Sequence, residues 1–329
     1  MSLERPTERR VEQLLEAAGD VRCLVVGDLM LDHYVTGTAD RISPEAPVPI
    51  VRVEAERFSV GGAANVAHNV VALGGACAVV GILGKDKDGT ELRRALEALG
   101  IGTRGLVVTN QRPTTVKTRV LVGHHQVIRF DQEVETDVPA DVADALVAAI
   151  AKLAGDADVL VIEDYDKGVL VPDVVAAALG AAKKRGLPVV VDPKRRRFFS
   201  YGGATIFKPN SRELADALGE PLHPEDPTWM ETVRKRLGCA HLLLTLGRHG
   251  MTLKGEQDHV LIPAVARSVY DVSGAGDTVT AVLALMLGAG ATASEAAALA
   301  NHAAALEVSK AGVATVSREE ILTHYRAFQ

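Results

Sequence analysis

Short apolar runs recur along the chain and alternate with segments of helical periodicity. The runs lie at residues 23–27, 78–82, 159–162, 188–191, 205–207 and 242–245, and most are continuous rather than alternating. Between them, apolar residues recur at helical spacing, as at Ala63, Val66, Ala67 and Val70. Continuous apolar strands separated by amphipathic helices predict an α/β fold, with a parallel sheet covered by helices on both faces.

Two segments depart from this alternation. Residues 34–58 are rich in proline and valine, and in residues 114–131 β-forming residues alternate with charged or polar ones. Together they predict a small β lid over the carboxyl edge of the sheet, where open α/β sheets bind ligands. Ordinary loops are the alternative interpretation. No internal repeat or Gly/Ser linker divides the chain, so residues 1–329 are expected to form one domain.

Composition narrows the class of protein. The chain has 329 residues, of which 47% are hydrophobic and 24% charged, as in an ordinary globular protein. Its net charge of -6 gives no basic field for nucleic acid. The three cysteines are too far apart for a CxxC motif and are expected in the core of a protein in a reducing compartment. The polar N-terminus and the short apolar run at 279–287 predict neither a signal peptide nor membrane insertion, so a cytoplasmic location is expected.

The strongest chemical signal runs from Asp271 to Asp277 and is followed directly by an apolar helix. Gly274, Ala275 and Gly276 let the backbone approach a ligand closely, and their amides lie at a helix N-terminus, which favours an anion. Asp277 would repel a phosphate there, yet it suits accepting a proton from an attacking hydroxyl. The alternative is that Asp277 caps the helix and the glycines form a tight turn.

Two other phosphate-binding motifs are not supported. Residues 81–86 lack the glycine and the Ser/Thr that a Walker A loop requires. Residues 274–279 lack the third glycine of a dinucleotide-binding fingerprint. The sequence therefore favours neither a P-loop NTPase nor a nicotinamide-dependent dehydrogenase.

A second signal lies at another helix start. Gly61 and Gly62 precede Asn65, and Asp28 and Asp32 follow the first apolar run. Amide and carboxylate groups fit a polyhydroxylated ligand because each hydroxyl both donates and accepts. A plain turn at the two glycines is the alternative.

A third signal follows the run at 205–207. Asn210 can cap the next helix, and Glu213 lies one turn further on, so the pair could orient a hydrated Mg²⁺. A capping box is an equally good interpretation. The ten histidines show no HExxH or similar spacing and are not assigned to metal.

In this order along the chain, the motifs resemble the ribokinase (PfkB) sugar kinases over nearly the whole length. More narrowly, residues 41–49, 164–168, 192–194 and 271–279 resemble the D-glycero-β-D-manno-heptose 7-phosphate kinases. Two departures are Glu163, where a small residue is usual, and the basic run at 195–197.

This resemblance implies a three-layer α/β/α ribokinase-like fold with a mainly parallel sheet and a small β lid, paired lid to lid in a homodimer. It implies ATP and Mg²⁺, and phosphorylation of D-glycero-β-D-manno-heptose 7-phosphate at the C1 hydroxyl to the 1,7-bisphosphate, in ADP-heptose and lipopolysaccharide core biosynthesis. Many such kinases are fused to a C-terminal adenylyltransferase. Because few residues follow Ser317, we expect the kinase alone.

The resemblance also implies residue roles. Asp277 is the expected base, and Gly274, Ala275 and Gly276 stabilise the transferred phosphoryl group. The expected sugar contacts are Asp28, Asp32, Gly61, Gly62, Asn65, Asp164 and Lys167. Candidate cations for the 7-phosphate are Lys117, Arg119, Arg129 and Lys167, and for each of them a solvated surface position is the alternative. The expected nucleotide contacts are Lys194, Asn210, Gly247, Asp271 and Asn301, and the expected metal ligands are Asn210 and Glu213.

Two alternatives to this function stay open. One is another sugar or sugar-phosphate kinase of the same fold, which differs in the substrate pocket rather than in the catalytic motif. The other is a non-catalytic sugar-binding protein, which would have no need of Asp277 beside the Gly274 and Gly276 cradle.

Overall fold

The fold is known from a computed structural model that describes residues 5–123, 125–266 and 268–328. Its strands, in chain order, are β1 (Arg22–Gly27), β2 (Leu29–Ile42), β3 (Pro49–Gly62), β4 (Ala76–Gly84), β5 (Gly102–Thr109), β6 (Val116–Val122), β7 (His125–Gln132), β8 (Val159–Glu163), β9 (Val189–Asp192), β10 (Ile206–Phe207), β11 (His241–Thr245), β12 (Met251–Lys254) and β13 (His259–Ile262).

The α-helices lie mostly between these strands. They are α1 (Glu8–Ala17), α2 (Ala63–Ala72), α3 (Lys87–Ala98), α4 (Ala140–Leu153), α5 (Pro172–Arg185), α6 (Ser211–Leu218), α7 (Pro227–Leu237), α8 (Ala275–Gly288), α9 (Ala293–Glu307) and α10 (Arg318–Arg326). Within the described ranges, none of them combines the length and the hydrophobicity that a membrane span requires.

The larger sheet has nine strands among the described residues, in the order β13-β12-β11-β10-β9-β8-β1-β4-β5. Neighbours from β5 to β11 are parallel, whereas β11, β12 and β13 pair antiparallel at one edge. All six runs predicted as strands lie in this sheet. The pattern did not predict β5, where glycine and arginine interrupt the apolar residues, nor the four-residue strands β12 and β13.

Helices cover both faces of this sheet, which confirms the three-layer architecture. One apolar cluster packs α1, α2, α3, α8, α9 and α10 against alternate strand residues such as Val161 and Val190. The other packs α4, α5, α6 and α7 against their neighbours, such as Ile162 and Val191. The three cysteines are buried and free, as expected.

A second, four-stranded sheet, in the order β3-β2-β6-β7, forms the predicted lid. Strand β2 pairs antiparallel with β3 and parallel with β6, and β6 pairs antiparallel with β7. The two predicted ribbons form its strands, but β2 and β3 extend beyond the predicted bounds to Leu29 and Gly62. The lid strands therefore run directly into the carboxyl end of β1 and the start of α2.

The end of β1 is held tightly against β8. Gly27 is the register partner of Glu163, and the Asp28 amide donates to the Glu163 carbonyl at 3.2 Å. A Cβ atom on Gly27 would lie 2.0 Å from that carbonyl oxygen. Only glycine allows this approach, which places Asp28 and Glu163 side by side at the sheet edge.

We therefore expect Gly27→Ala to destabilise the fold by about 2 kcal/mol or more, because backbone must move to admit the methyl group. Gly180→Ala is the matched control, since α5 leaves open space at Gly180. There, alanine should stabilise the helix by about 0.5–1 kcal/mol. Urea unfolding of both variants measures these changes, and equal effects would contradict the close approach of β1 and β8.

Candidate active site

The first turn of α8 is open to a ligand. Gly274 precedes the helix with a φ of 94°, a conformation that side chains disfavour. The Ala275 amide donates to the carbonyl of Val272, whereas helix geometry leaves the amides of Gly276 and Asp277 without intrahelical partners. Gly276 is exposed, and a Cβ atom on it would approach other atoms no closer than 3.7 Å. This is the geometry that the predicted phosphate cradle requires.

Asp277 is buried in that turn and bound by two neutral donors. Its Oδ2 accepts from Asn65 Nδ2 at 2.6 Å, and its Oδ1 accepts from the Tyr165 hydroxyl at 2.7 Å. The helix has no side-chain cap, so the capping interpretation of Asp277 was wrong. Burial raises the pKa of Asp277 to about 6, despite the two hydrogen bonds that lower it. At neutral pH this carboxylate is ionised and able to accept a proton.

Asn65 lies at the start of α2, and the structure explains why glycines occupy positions 61 and 62. Gly62 precedes the helix with a φ of 58°, and a Cβ atom on Gly61 would lie 2.7 Å from Asp32 Oδ2. The Oδ1 atom of Asn65 is buried without a hydrogen-bond partner. An acceptor beside Asp277 is therefore available to a ligand hydroxyl.

Asp28 binds a loop rather than facing open space. Its carboxylate accepts from the amides of Tyr165, Lys167 and Val169 at 2.8, 3.0 and 3.2 Å. Burial, followed by the nearby Asp164, raises the pKa of Asp28 to about 6. Asp28 thus fixes the loop that carries Tyr165 to Asp277, and its predicted contact with the sugar stays a prediction.

Asp164 stabilises the same loop from its other side. Its Oδ2 accepts from the buried Tyr201 hydroxyl at 2.6 Å, and its Oδ1 accepts from the Asp166 amide at 2.8 Å. Burial raises the pKa of Asp164. Its predicted contact with the substrate is likewise untested.

Three of the predicted phosphate-binding cations share carboxylates on or beside the lid strands. Lys117 lies 3.2 Å and Lys167 2.9 Å from Glu133, while Lys117 and Arg129 each lie 3.1 Å from Asp131. Separately, Arg119 forms a 2.5 Å ion pair with Asp32. The lid sheet therefore gathers these cations close to a predicted sugar contact.

Asn210 and Glu213 form the capping box that the sequence left as an alternative. Asn210 Oδ1 accepts from the Glu213 amide, and Glu213 Oε2 accepts from the Asn210 amide, both at 2.9 Å. The other Glu213 oxygen binds Lys194. Their role at Mg²⁺ stays a prediction.

The remaining predicted nucleotide contacts are engaged locally. Gly247 opens a 3₁₀ turn after β11 with a φ of 56°, and Asp271 accepts from the Ser273 amide. Asn301 in α9 donates to the Pro263 carbonyl at 2.8 Å and lines a cavity of about 250 Å³ with His302 and others. In the described part of the chain, no hydrogen bond joins these three residues to one another.

Sequence reasoning gave no role in the site to three charged residues beside Asp277. Glu163, Asp192 and Lys208 lie at or just beyond the ends of β8, β9 and β10, and all are buried. Lys208 Nζ is 2.7 Å from Asp192 Oδ2 and 3.7 Å from the Cβ position of Gly276. Continuing the period-two alternation past the strand ends, from Val161 to Glu163 for example, would have placed them on the face that α8 covers.

Tyr165 and Glu307 were missed as well. Tyr165 was seen only as part of a motif, although its hydroxyl binds the proposed base. Glu307 is buried in α9, where burial and the nearby Asp271 and Asp277 raise its pKa to about 8. Its Oε1 lies 3.3 Å from the Cβ position of Gly274. No local pattern marked a buried carboxylate there.

The sequence pattern of the pfkB family carbohydrate kinases matches residues 21–320. The chain belongs to this family of carbohydrate kinases. It is 44% identical over 318 residues to the bifunctional protein HldE of Citrifermentans bemidjiense, covering 95% of this chain and 65% of that protein. It is 46% identical over 300 residues to the bifunctional protein HldE of Azorhizobium caulinodans, covering 90% and 63%. The chain thus spans less than two thirds of these relatives' length.

Solved structures of sugar kinases share the fold of this chain. A ribokinase of Arabidopsis thaliana, complexed with ribose and ATP, superposes with a TM-score of 0.71 at 23% identity, covering 93% of this chain and 98% of that one. Phosphofructokinase-2 of Escherichia coli superposes with a TM-score of 0.76 at 19% identity, covering 93% of this chain and 99% of that one. The ribokinase-like fold expected from the sequence is confirmed.

The hydrogen bond from Tyr165 to Asp277 predicts how the pH profile of kcat/KM should change when Tyr165 is replaced. If Asp277 must be ionised, kcat/KM for phosphoryl transfer should rise with pH through about 6 and then level off. Tyr165→Phe removes a donor to the ionised form, so the pKa of Asp277 should rise by about one unit and the acid limb should move to higher pH.

Tyr201→Phe is the matched control, because it removes a buried tyrosine hydroxyl from Asp164 instead. Its acid limb should stay at the wild-type position. Identical profiles for Tyr165→Phe and wild type would show that Asp277 does not set this limb.

Proposed function

We propose that this chain is an ATP-dependent kinase that phosphorylates D-glycero-β-D-manno-heptose 7-phosphate at the C1 hydroxyl. The products would be the 1,7-bisphosphate and ADP, in ADP-heptose and lipopolysaccharide core biosynthesis. The observation that carries the proposal is Asp277, a buried carboxylate with a pKa of about 6 in the first turn of α8. A general base is required at that place if a hydroxyl is to attack a phosphoryl group bound by the same turn.

Asp277 accepts the proton of the C1 hydroxyl as that oxygen bonds to the γ-phosphorus, and the bond to the leaving ADP oxygen breaks. Asn65 and Tyr165 hold the carboxylate in place for this transfer. The free amides at the start of α8, with the Lys208 ammonium nearby, stabilise the negative charge that develops on the transferred group. Gly274, Ala275 and Gly276 supply the backbone of this cradle.

ATP and Mg²⁺ fit the donors at this edge of the sheet. Open helix amides and a buried lysine suit phosphate oxygens. Mg²⁺ neutralises phosphate charge when bound, and it needs few protein ligands because it keeps several waters. Asn210 and Glu213 would orient it, directly or through water, while Lys194, Gly247, Asp271 and Asn301 would contact the nucleotide.

The choice of a phosphorylated sugar is supported by the cations under the lid. Lys117, Arg129 and Lys167 surround Asp131 and Glu133, and Arg119 is paired with Asp32. A 7-phosphate can take the place of these carboxylates as a partner of the cations. The sugar hydroxyls then face Asp32, Asn65 and the loop that Asp28 and Asp164 hold. The motif resemblance to heptose 7-phosphate kinases supports the same substrate.

A substrate panel tests both the reaction and the base. Release of ADP from Mg-ATP should occur with the heptose 7-phosphate and not with sedoheptulose 7-phosphate, fructose 6-phosphate, fructose 1-phosphate or ribose. Asp277→Asn should lower kcat by about 10²- to 10⁴-fold. Preference for another sugar would favour a different kinase of the same family, and undiminished turnover by Asp277→Asn would refute the proposed base.

We also propose that the protein is a homodimer that pairs through its lid. Register places Asp32, Lys117 and Asp131 on one face of the lid sheet, and Thr118 and Phe130 on the other. The second face also carries Val35, Val120 and Ile128, with Ile128 55% and Phe130 56% exposed. A sheet with one charged and one exposed apolar face suits pairing with a second copy. We further propose a cytoplasmic location and a single kinase domain over residues 1–329.

Ile128→Asp should weaken this dimer, because a charge would have to be buried at the interface. Sedimentation equilibrium should then show a monomer at concentrations where wild type is dimeric. Val108→Asp is the control, since Val108 is 49% exposed on β5 of the main sheet. A wild-type monomer, or equal loss of dimer in both variants, would contradict pairing through the lid.

A further inference from the structure

One face of the lid sheet carries polar side chains in rows that run across its four strands. In the row nearer Gly61, register places Ser59, Asp32, Lys117 and Asp131 next to one another on β3, β2, β6 and β7. This acidic row has two carboxylates and one ammonium, and Lys117 lies 3.1 Å from Asp131.

The next row outward is basic. It consists of register partners on the same four strands, namely Arg57, Tyr34, Arg119 and Arg129. Residues two apart on a strand share a face and lie roughly 6.5 Å apart, so this basic row runs alongside the acidic one. It holds three guanidinium groups and no carboxylate. Like charges directly opposite each other, such as Arg119 and Arg129, are unfavourable unless an anion lies between them.

Two of the three arginines have carboxylate partners in the acidic row, and the third has none. Arg119 forms a 2.5 Å ion pair with Asp32, and Arg129 lies 3.1 Å from Asp131. Arg57 is exposed and forms no ion pair with any residue in the described ranges. It was not among the cations expected from the sequence to bind phosphate. The basic row therefore contains one cation that is free to bind a ligand.

The ring of Tyr34 keeps this free cation beside a second one. The guanidinium carbon of Arg57 lies 4.5 Å from the centre of the Tyr34 ring, and that of Arg119 lies 5.4 Å from it. Attraction between a cation and an aromatic ring stabilises both positions. Arg57 is thus oriented on the face of the lid that carries Asp32 and Lys117.

We infer that Arg57 binds the phosphate group of the sugar substrate and so selects a phosphorylated sugar, an inference that rests on the proposed function. A guanidinium binds phosphate through two parallel hydrogen bonds, and Arg57 has no ion pair to give up first. Lys117, Arg129 and Lys167, in contrast, must exchange a carboxylate for the phosphate.

The position of the acidic row favours the sugar phosphate over the nucleotide. Gly61 leads into α2, whose Asn65 binds Asp277 beside the phosphate cradle. The acidic row lies between Gly61 and Arg57 along the lid. Sugar hydroxyls suit this interval, because the Asp32 carboxylate accepts hydrogen bonds from them. The phosphate at the far end of the sugar then meets Arg57.

Kinetics of Arg57→Gln with the heptose 7-phosphate, and with the same heptose lacking phosphate, test this role. The substitution should lower the ratio of kcat/KM for the phosphorylated sugar to that for the unphosphorylated sugar by about 10- to 100-fold, as expected for loss of a charge-assisted contact. The KM for the sugar phosphate should rise, and the KM for ATP should change little. Arg57→Lys keeps the charge without the paired hydrogen bonds, so it should restore part of the ratio.

Arg52→Gln is the matched control, because Arg52 lies on the same strand and is paired with Asp40. It removes the same charge from the lid and should leave the ratio unchanged. Equal effects of Arg52→Gln and Arg57→Gln would mean that the lid attracts phosphate only through its overall charge, and would overturn the inference. A rise in the KM for ATP alone would also overturn it, because Arg57 would then contact the nucleotide.

Thermal unfolding without ligand separates a binding role from a structural one. Arg57 is exposed and has no ion pair, so Arg57→Gln should melt at the wild-type temperature. A lower melting temperature together with a lower ratio would make Arg57 a structural residue of the lid, which would contradict the proposed contact.

Calorimetric titration with the heptose 7-phosphate, in the absence of nucleotide, keeps this inference distinct from the proposed function. Binding that Arg57→Gln weakens, without turnover of any sugar, would refute the kinase function and leave the phosphate contact intact. Turnover of the heptose phosphate with an unchanged ratio in Arg57→Gln would refute the phosphate contact and leave the kinase function intact.

Discussion

The arrangement of this protein depends on negative charge held out of water at the carboxyl edge of a parallel sheet. Asp277, Glu163, Asp192, Asp28 and Asp164 are all buried there. A buried carboxylate is stable only where donors or cations reach it, so each one constrains the groups around it. Much of the structure at this edge of the sheet consists of the donors and cations that reach these carboxylates.

The loop after β8 shows this constraint most directly. Asp28 accepts three of its amides, and Asp164 binds both an amide within it and the hydroxyl of Tyr201. The loop then delivers the Tyr165 hydroxyl to Asp277, while α2 delivers Asn65 from the other side. Two distant chain segments thus orient one carboxylate on a third, and their hydrogen bonds lower its pKa against the larger effect of burial. A mobile base would lose the geometry on which proton transfer depends.

The lid is a single sheet whose charged and apolar residues lie on opposite faces. A two-sided sheet outside the core must cover both faces or expose one of them. Its charged face carries Asp32 and the cations paired with acidic residues, and its apolar face carries Ile128 and Phe130. Because Gly61 and Gly62 end β3 and start α2, the lid continues directly into the site.

The sequence alone determined the layers of the fold and the open helix start that precedes Asp277, because these depend on local patterns. Apolar periodicity predicted six strands of the main sheet and the lid ribbons. The run ending at Asp277 predicted an open helix start, since glycine conformation and helix amides are properties of a few neighbouring residues. The short strands β12 and β13 lacked enough residues for a pattern, and β5 was obscured by glycine and arginine.

Only the tertiary structure decided which side chains surround Asp277. Asn65, Tyr165 and Asp277 are far apart in the chain, and nothing near Tyr165 in sequence indicates that its hydroxyl binds Asp277. The same holds for Glu163, Asp192 and Lys208, which neighbouring parallel strands bring to one edge. Asp28 and Glu213 show the converse: their residue types suited a ligand, yet folding gave their oxygens partners within the protein. Burial, pairing and pKa depend on contacts across the chain, and a single sequence specifies those contacts only once the sheet order is known.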